Sequence, residues 1–158
     1  MSLTRRVATR GIAVAIGAVS LCAVASDASA QDPRMSTVDL AQTQLTVPKK
    51  VTVGKRFVVL DTVENLGDTS SPLTVTGFCL AKTDVCTPTD LKVAARRVPA
   101  LLGGAQHSSE SPMTLPDTVE PGSYFMVVTA NANNDVQERS RVNNVRAAPV
   151  EVEGKKKK

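Results

Sequence analysis

Residues 56–64 have the sequence RFVVLDTVE, and the turn residues NLGD at 65–68 follow them directly. The β-branched and aromatic side chains of this stretch favour a β-strand, and asparagine, glycine and aspartate are residues that end strands in turns. Asp61 stands between Val59 and Val63 on an otherwise apolar face. Because a buried carboxylate needs a partner, we expect Asp61 to lie near a sheet edge or to pair locally.

Similar segments recur outward from this strand in both directions. They are predicted at residues 39–47, 73–81, 91–98, 109–115, 124–130 and 145–152, with a short link at 51–54. The strand at 124–130 is apolar on both faces and is therefore predicted to be central in its sheet. There are 19 valines between Gln31 and Lys158, and no long stretch has the period of a helix. This pattern predicts an all-β sandwich of about seven strands.

Residues 1–30 have the pattern of a cleavable secretory signal peptide. Three arginines precede an uncharged apolar run at residues 11–24, and Ala28-Ser29-Ala30 is a small-residue cleavage site. The run is about fourteen residues long, whereas a transmembrane helix needs roughly 20; an uncleaved anchor is the alternative. We expect cleavage after Ala30 and export to the periplasm or the cell exterior.

Positive charge is concentrated at the two ends of the chain. The whole chain carries 19 Lys and Arg against 15 Asp and Glu. The predicted signal peptide removes three arginines and Asp27, and the tail holds four lysines, so the body keeps 12 basic and 14 acidic side chains. A nucleic-acid-binding domain needs a basic face on the fold itself, so this charge balance argues against that class. The tail lysines are Lys155, Lys156, Lys157 and Lys158; we expect a solvated tail, and weak contact with anionic surfaces is the alternative.

Cleavage would also remove Cys22 and leave Cys79 and Cys86 as the two cysteines of the mature chain. An even pair in an oxidising compartment predicts a structural disulfide. Closing a loop of this length would stabilise the fold by roughly 2–3 kcal/mol. The alternatives are a redox pair, which usually has two intervening residues, or half of a zinc site, which needs four ligands.

Tyr124 and His107 are each the only residue of their type in the chain. Tyr124 follows the turn Pro121-Gly122-Ser123 at a strand start, where a sandwich tyrosine typically bonds its hydroxyl to upstream backbone, so its expected role is structural. His107 precedes Ser108, but neighbours in sequence do not make a catalytic triad, and we expect it in an exposed loop. No phosphate-binding loop or metal-binding helix motif is present. The sequence therefore predicts no enzyme and no cofactor.

The densest polar cluster is NANNDVQERSRVNN at residues 131–144. Asparagine and aspartate bond their own backbone and tolerate left-handed geometry, so this composition predicts a loop built by such bonds. The alternative is a calcium site on Asp135, Glu138 and amide or backbone oxygens. Two carboxylates would make a weak site, and the spacing of an EF-hand is absent.

Several segments, taken in order, resemble the bacterial cell-adhesion-related domain, CARDB. They are Asp39-Leu40, Val63 to Gly67, Arg97 to Leu101, Pro121 to Tyr124, Asn134 to Glu138 and Asn143-Asn144. The resemblance implies an immunoglobulin-like or fibronectin-III-like antiparallel β-sandwich with an extracellular role. It also implies structural roles for Asn65, Gly67, Asn143 and Asn144. Arg139 and Arg141 stand where the family usually has an acidic residue, and the cysteine pair is not a general family feature.

These observations divide the chain into a signal peptide at 1–30, a linker at 31–37, a CARDB-like sandwich at 38–153 and a lysine tail at 154–158. They predict an exported, non-enzymatic binding or structural module of the cell envelope or secreted fraction, related to adhesion. Its partner would be a protein or a glycan. The alternative is an accessory or inhibitor protein that docks on an exported enzyme.

Overall fold

The computed structural model describes residues 37–155, and within them the chain forms eight β-strands and no helix. The strands are β1 (Leu40–Thr46), β2 (Lys50–Thr52), β3 (Arg56–Asn65), β4 (Thr74–Ala81), β5 (Leu91–Val98), β6 (Gln106–Thr114), β7 (Gly122–Thr129) and β8 (Val145–Glu153). The predicted signal peptide, most of the linker and Lys156–Lys158 lie outside the described residues. In the described part, nothing forms a helix that is long and apolar enough to cross a membrane.

The strands form a three-stranded sheet in the order β1-β3-β6 and a five-stranded sheet in the order β2-β8-β7-β4-β5. The predicted all-β, immunoglobulin-like sandwich is confirmed, and β7 is the middle strand of the larger sheet. The expected link at 51–54 is the exception, because its first residues belong to β2, which pairs with β8 in parallel. Val51 and Val53 are buried in the core, and Val53 N donates to Glu153 O at 3.0 Å, so burial and hydrogen bonding together make this link a strand.

The inner faces of the two sheets meet in the main hydrophobic cluster. Val59 of β3 packs there with Phe78 of β4 and with Met126 and Val128 of β7, and all are almost completely buried. Complete burial of such a side chain contributes about 1.5–3 kcal/mol relative to leaving it exposed. The alternate residues of β7 face the other way, so Val127 lies on the outer face of the five-stranded sheet.

The expectation for Asp61 was wrong, because it lies on β3, the central strand of its sheet, with a fully buried side chain. Its partner is Arg96 of β5 in the opposite sheet: Arg96 Nε donates to Oδ1 at 2.9 Å and Nη2 donates to Oδ2 at 2.6 Å. This ion pair lies between the main cluster, which contains Val59, and a second cluster, which contains Val63. A buried carboxylate is tolerated only when it is paired, and here the pairing crosses the sandwich.

His107 lies on β6, not in a loop, because β6 begins at Gln106 and not at Ser109 as expected. Its Nδ1 lies 3.2 Å from Arg96 Nη1, beside the buried ion pair. Ser108 is the next residue on the strand, and its hydroxyl contacts that of Thr62 at 2.8 Å. Because successive strand residues point to opposite faces, His107 and Ser108 do not form a nucleophile and base pair.

Candidate functional site

The carboxylate of Glu138 organises the loop at residues 131–144, which we call the Asn loop. Its Oε1 accepts hydrogen bonds from the side-chain amides of Asn131 and Asn144, both at 2.7 Å. Its Oε2 accepts a hydrogen bond from the backbone N–H of Leu40 at 2.7 Å. Hydrogen bonds to a charged acceptor are among the stronger ones in proteins. One side chain therefore fixes the conformation of the loop and attaches it to the start of β1.

The backbone of the Asn loop turns through two left-handed asparagines, Asn131 at φ 47° and Asn134 at φ 61°. The Oδ1 of Asn131 accepts from the backbone N–H of Asp135 at 2.7 Å, and its Nδ2 donates to the carbonyl of Val136 at 2.8 Å. This is the side-chain-to-backbone bonding that asparagine-rich loops use. Of the two carboxylates considered for calcium, Asp135 is exposed, while both oxygens of Glu138 already accept N–H hydrogen bonds.

Asn65, at the end of β3, is completely buried and uses its whole amide group. Its Oδ1 accepts from the backbone N–H groups of Asp39 at 3.2 Å and Gly67 at 3.1 Å. Its Nδ2 donates to the carbonyls of Thr69 at 2.8 Å and Leu101 at 3.1 Å. The side chain thus joins three separate segments at this end of the sandwich.

Gly67 and Asn143 hold the same end of the sandwich together. A Cβ on Gly67 would lie 1.6 Å from the carbonyl oxygen of Thr37, so a larger residue would push this segment away. Asn143 Nδ2 donates to Asp39 Oδ1 at 2.9 Å, and its backbone carbonyl accepts from Gln42 N at 3.0 Å. The Asn loop is therefore attached to β1 through Asn143 as well as through Glu138.

Tyr124 lies at the other end of β7. Its hydroxyl donates to the carbonyl of Glu120 at 3.0 Å, four residues upstream. The ammonium of Lys82 lies 3.3 Å from the centre of the tyrosine ring, which is cation–π geometry. Tyr124 thus contacts both its own preceding turn and the loop that follows β4.

Cys79 and Cys86 are joined by a disulfide. Cys79 is buried on the outer face of β4, where it packs with Ala81 and Val127. Cys86 is half-buried in the loop at residues 82–90, which we call the disulfide loop. The bond therefore holds this loop against the outer face of the sheet.

The disulfide loop carries its own polar contacts. Asp90 Oδ2 accepts from the hydroxyl of Thr87 at 2.6 Å and from its backbone N–H at 2.7 Å. Both hydrogen bonds lower the pKa of the Asp90 carboxyl, and the bond from the Thr87 hydroxyl has the larger effect. Lys92, on the outer face of β5, has its ammonium 2.7 Å from Cys86 Sγ and 2.7 Å from Thr87 O.

An apolar groove of about 370 Å³, which we call the outer groove, runs along the outer face of β4 and β5. Gly77 and Ala95, which are paired across the two strands, form part of its floor. The disulfide bounds it on one side, and Ala132 and Asn133 of the Asn loop bound it on another. A Cβ on Gly77 would lie 3.0 Å from the Cβ of Ala132, so the glycine keeps this part of the groove open.

The sheet edges differ in how well they are protected. The edge of β1 is interrupted by a register shift, and Arg146 donates to the carbonyl of Thr43 at 2.6 Å. β2 has only three residues, and β6 contains Pro112, which has no N–H to donate. β5 has eight residues, and within residues 37–155 its backbone pairs with β4 alone, with one register shift opposite Phe78 and Cys79. Its outer face carries Lys92 and Arg97 on either side of Ala95.

Sequence reasoning did not identify Lys92, Arg96 or the outer groove. Lys92 and Cys86 are six residues apart, and only the pairing of β4 with β5 brings the ammonium to the disulfide. Arg96 and Arg97 are adjacent in sequence, so they point to opposite faces of β5. Only Arg96 points into the sandwich, where it meets Asp61. The small residues at the groove, such as Ala95, gave no signal because alanine in a strand pattern is read as an ordinary buried residue.

A sequence profile of the CARDB family matches residues 37–148. Among solved structures, the chain is similar to the crystal structure of a CARDB domain from Pyrococcus furiosus in complex with di-metal ions. The sequence identity is 24%, and the TM-score is 0.57. The match covers 75% of this chain and 96% of that chain. It is also similar to a solution structure of that domain, with 22% identity, coverage of 75% and 98%, and a TM-score of 0.56. No protein with a curated description matches this chain.

Proposed function

This chain belongs to the CARDB family of cell-surface-associated, non-catalytic domains, and we propose that it is an exported, non-enzymatic binding module. We further propose that it binds an extended, acidic segment of a partner protein along the edge of β5. Export is supported by the signal-like pattern at residues 1–30 and by the Cys79–Cys86 disulfide, a bond that persists in oxidising compartments.

The observation that carries the proposal is the open backbone of β5. An eight-residue edge strand with unpaired N–H and C=O groups is a template for an added strand. The other edges offer less, since β1 already bonds Arg146 and Asn143 through its backbone, β2 is short and Pro112 interrupts β6. Main-chain hydrogen bonds from β5 would supply affinity for any extended segment.

The charge and shape of the surface around β5 determine which kind of partner segment would bind there. β5 carries Lys92, Arg96 and Arg97 and no acidic residue, on a body that has more acidic than basic side chains. The guanidinium of Arg96 is paired with the buried carboxylate of Asp61 and is not available to a partner. Lys92 and Arg97 are exposed on the outer face. The outer groove lies beside them and accepts apolar atoms. An added strand with alternating acidic and apolar side chains complements both features, whereas two copies of β5 would repel each other.

A library of displayed eight-residue peptides tests this binding mode directly. Peptides enriched on the purified domain should be acidic and apolar. The variant Ala95→Glu/Arg97→Glu, which obstructs the groove and reverses the charge, should lose that enrichment. The matched control Val58→Glu/Lys55→Glu makes the same change in net charge at exposed positions of the β2–β3 turn and β3, and should keep it. No enrichment, or enrichment that survives the β5 variant, would overturn the proposal.

Export has a separate test. Cell fractionation with mass spectrometry of the N-terminus should find a mature chain that begins at Gln31, outside the cytoplasm. A full-length chain in the cytoplasmic fraction would contradict export. If the partner segment recovered with the mature chain comes from an enzyme whose rate the domain changes, the module is an accessory or inhibitor.

The proposal uses no metal ion. The crystal structure of the Pyrococcus furiosus domain is in complex with di-metal ions. Within residues 37–155, the one cluster of three His, Cys, Asp or Glu ligands is Cys79, Cys86 and Asp90. Both sulfurs of that cluster are in the disulfide, and so are not thiolate ligands. These donors do not fit a di-metal site.

A further inference from the structure

We propose that the Cys79–Cys86 bond is a thiol–disulfide exchange site, in which Lys92 stabilises the sulfur that leaves as a thiolate. Exposed disulfides are among those that exchange readily with thiols. This one lies on the outer face of the sheet and has an ammonium group within hydrogen-bonding distance of one sulfur. The proposal is independent of the partner segment proposed for β5.

The two sulfurs differ in accessibility, which decides where an incoming thiol attacks. Cys79 is 4% exposed and packs among apolar side chains, whereas Cys86 is half-buried in the disulfide loop. The four residues before Cys86, from Lys82 to Val85, are all exposed, with Val85 at 60%. An incoming thiolate therefore reaches the sulfur of Cys86, and the sulfur of Cys79 is the leaving group.

Lys92 is positioned to stabilise either thiolate. Its Nζ lies 2.7 Å from Cys86 Sγ and 3.8 Å from Cys79 Sγ, and it is oriented by a 2.7 Å hydrogen bond to the carbonyl of Thr87. The disulfide itself has no charge for the ammonium to pair with; that charge forms only when the bond opens. Asp90 also lies close to both sulfurs, but its Oδ2 is occupied by the two hydrogen bonds from Thr87.

A dithiol reductant would reduce the bond in two steps. Its first thiolate attacks Cys86 Sγ, forms a mixed disulfide and releases Cys79 as a thiolate, which takes up a proton or pairs with Lys92. The second thiol of the reductant then attacks the mixed disulfide, loses its proton and releases Cys86. The reductant leaves as a disulfide, and both cysteines of the domain are reduced.

Opening the bond would change the surface around it. The disulfide bounds the outer groove, and Cys86 covers the outer cluster of Cys79, Ala81 and Val127. Reduction would release the disulfide loop at its Cys86 end and widen the groove on that side. The redox state of the pair would therefore regulate access to this face of the sheet.

The rate of reduction by dithiothreitol tests the role of Lys92. In Lys92→Gln the rate should fall roughly three- to tenfold, because a nearby opposite charge lowers a thiol pKa by one or more units and exchange is faster when the leaving thiol has a lower pKa. Lys92→Arg should keep most of the wild-type rate. The control Lys55→Gln removes an exposed charge at the opposite edge of the sheet and should leave the rate unchanged. Equal rates for Lys92→Gln and wild type would overturn the proposal.

A second measurement needs no variant. In the reduced wild-type protein, the pH dependence of iodoacetamide alkylation should give a midpoint below the ordinary thiol value of about 8.5 for the cysteine that Lys92 pairs with, Cys79 or Cys86. Peptide mapping assigns the midpoint to one cysteine. Midpoints at or above that value for both cysteines would show that Lys92 stabilises neither thiolate, and would also overturn the proposal.

Discussion

The Asn loop and the disulfide loop leave opposite ends of adjacent strands and are held in different ways. The Asn loop follows β7, and the disulfide loop follows β4, which is antiparallel to β7. Glu138 and the asparagines hold the first loop through hydrogen bonds that converge on a few atoms. One covalent bond holds the second loop, and its remaining contacts are exposed. Both loops border the outer groove.

This difference determines what can release each loop. A hydrogen-bond network fails when a single acceptor is removed, because the buried donors that remain have no partner. A disulfide survives most side-chain changes and acts mainly by restricting the unfolded chain. The Asn loop should therefore behave as part of the folded core, whereas the disulfide loop should open separately when a reductant is present.

The largest effect is expected for Glu138→Ala. Three N–H donors, including the backbone N–H of Leu40, would lose their acceptor, and the free energy of unfolding should fall by about 3 kcal/mol. Urea unfolding measures this change. The control Gln137→Ala, at an exposed neighbour, should change stability little. If Glu138→Ala matched that control, the Asn loop would not depend on Glu138.

The next largest effect is expected for Cys79→Ala/Cys86→Ala. Loss of the short covalent loop should lower the free energy of unfolding by about 2.5 kcal/mol by the loop-entropy relation. Amide hydrogen exchange should increase in the disulfide loop while the Asn loop keeps its protection. Faster exchange in the Asn loop as well would show that the two loops are coupled, and so would contradict the comparison.

A smaller effect is expected for Tyr124→Phe. The change removes the hydroxyl bond to Glu120 but leaves the ring under Lys82, so the unfolding free energy should fall by roughly 0.5–1 kcal/mol. Tyr124→Leu, which also removes the ring, should destabilise the protein more. Thermal unfolding with no measurable change in Tyr124→Phe would argue against a structural role for the hydroxyl.

The smallest effect is a pH dependence in the disulfide loop. The hydrogen bonds from Thr87 lower the pKa of Asp90 in the folded protein. Asp90 therefore stabilises the fold above its unfolded pKa, and this contribution is lost as the pH falls through the lower folded pKa, that is, below about 4. Asp90→Asn should have a slightly lower Tm than wild type near neutral pH, and the difference should shrink in acid. If the difference in Tm between wild type and Asp90→Asn grew in acid, the pKa of Asp90 would not be lowered in the folded protein.

Much of the fold was predictable because the signals are local. Strand alternation and turn residues located most strands, and the two apolar faces of β7 correctly predicted a central strand. The composition of residues 131–144 correctly suggested a loop, since asparagine bonds its own backbone. The strand at β2 was missed because a three-residue strand gains its stability from pairing with β8, which no short window of sequence contains.

The amino-acid pattern alone indicates which residues alternate and which end strands, and it leaves two cysteines for one bond once the predicted signal peptide is removed. The pairings between distant residues follow from the folded arrangement of the two sheets. Arg96 reaches Asp61 across the sandwich, Glu138 bonds the backbone of a residue 98 positions away, and Lys92 meets the disulfide through strand register. The physical reason is that local backbone preferences act over a few residues, whereas the neutralisation of buried charge and the burial of polar groups depend on which surfaces the whole fold brings together.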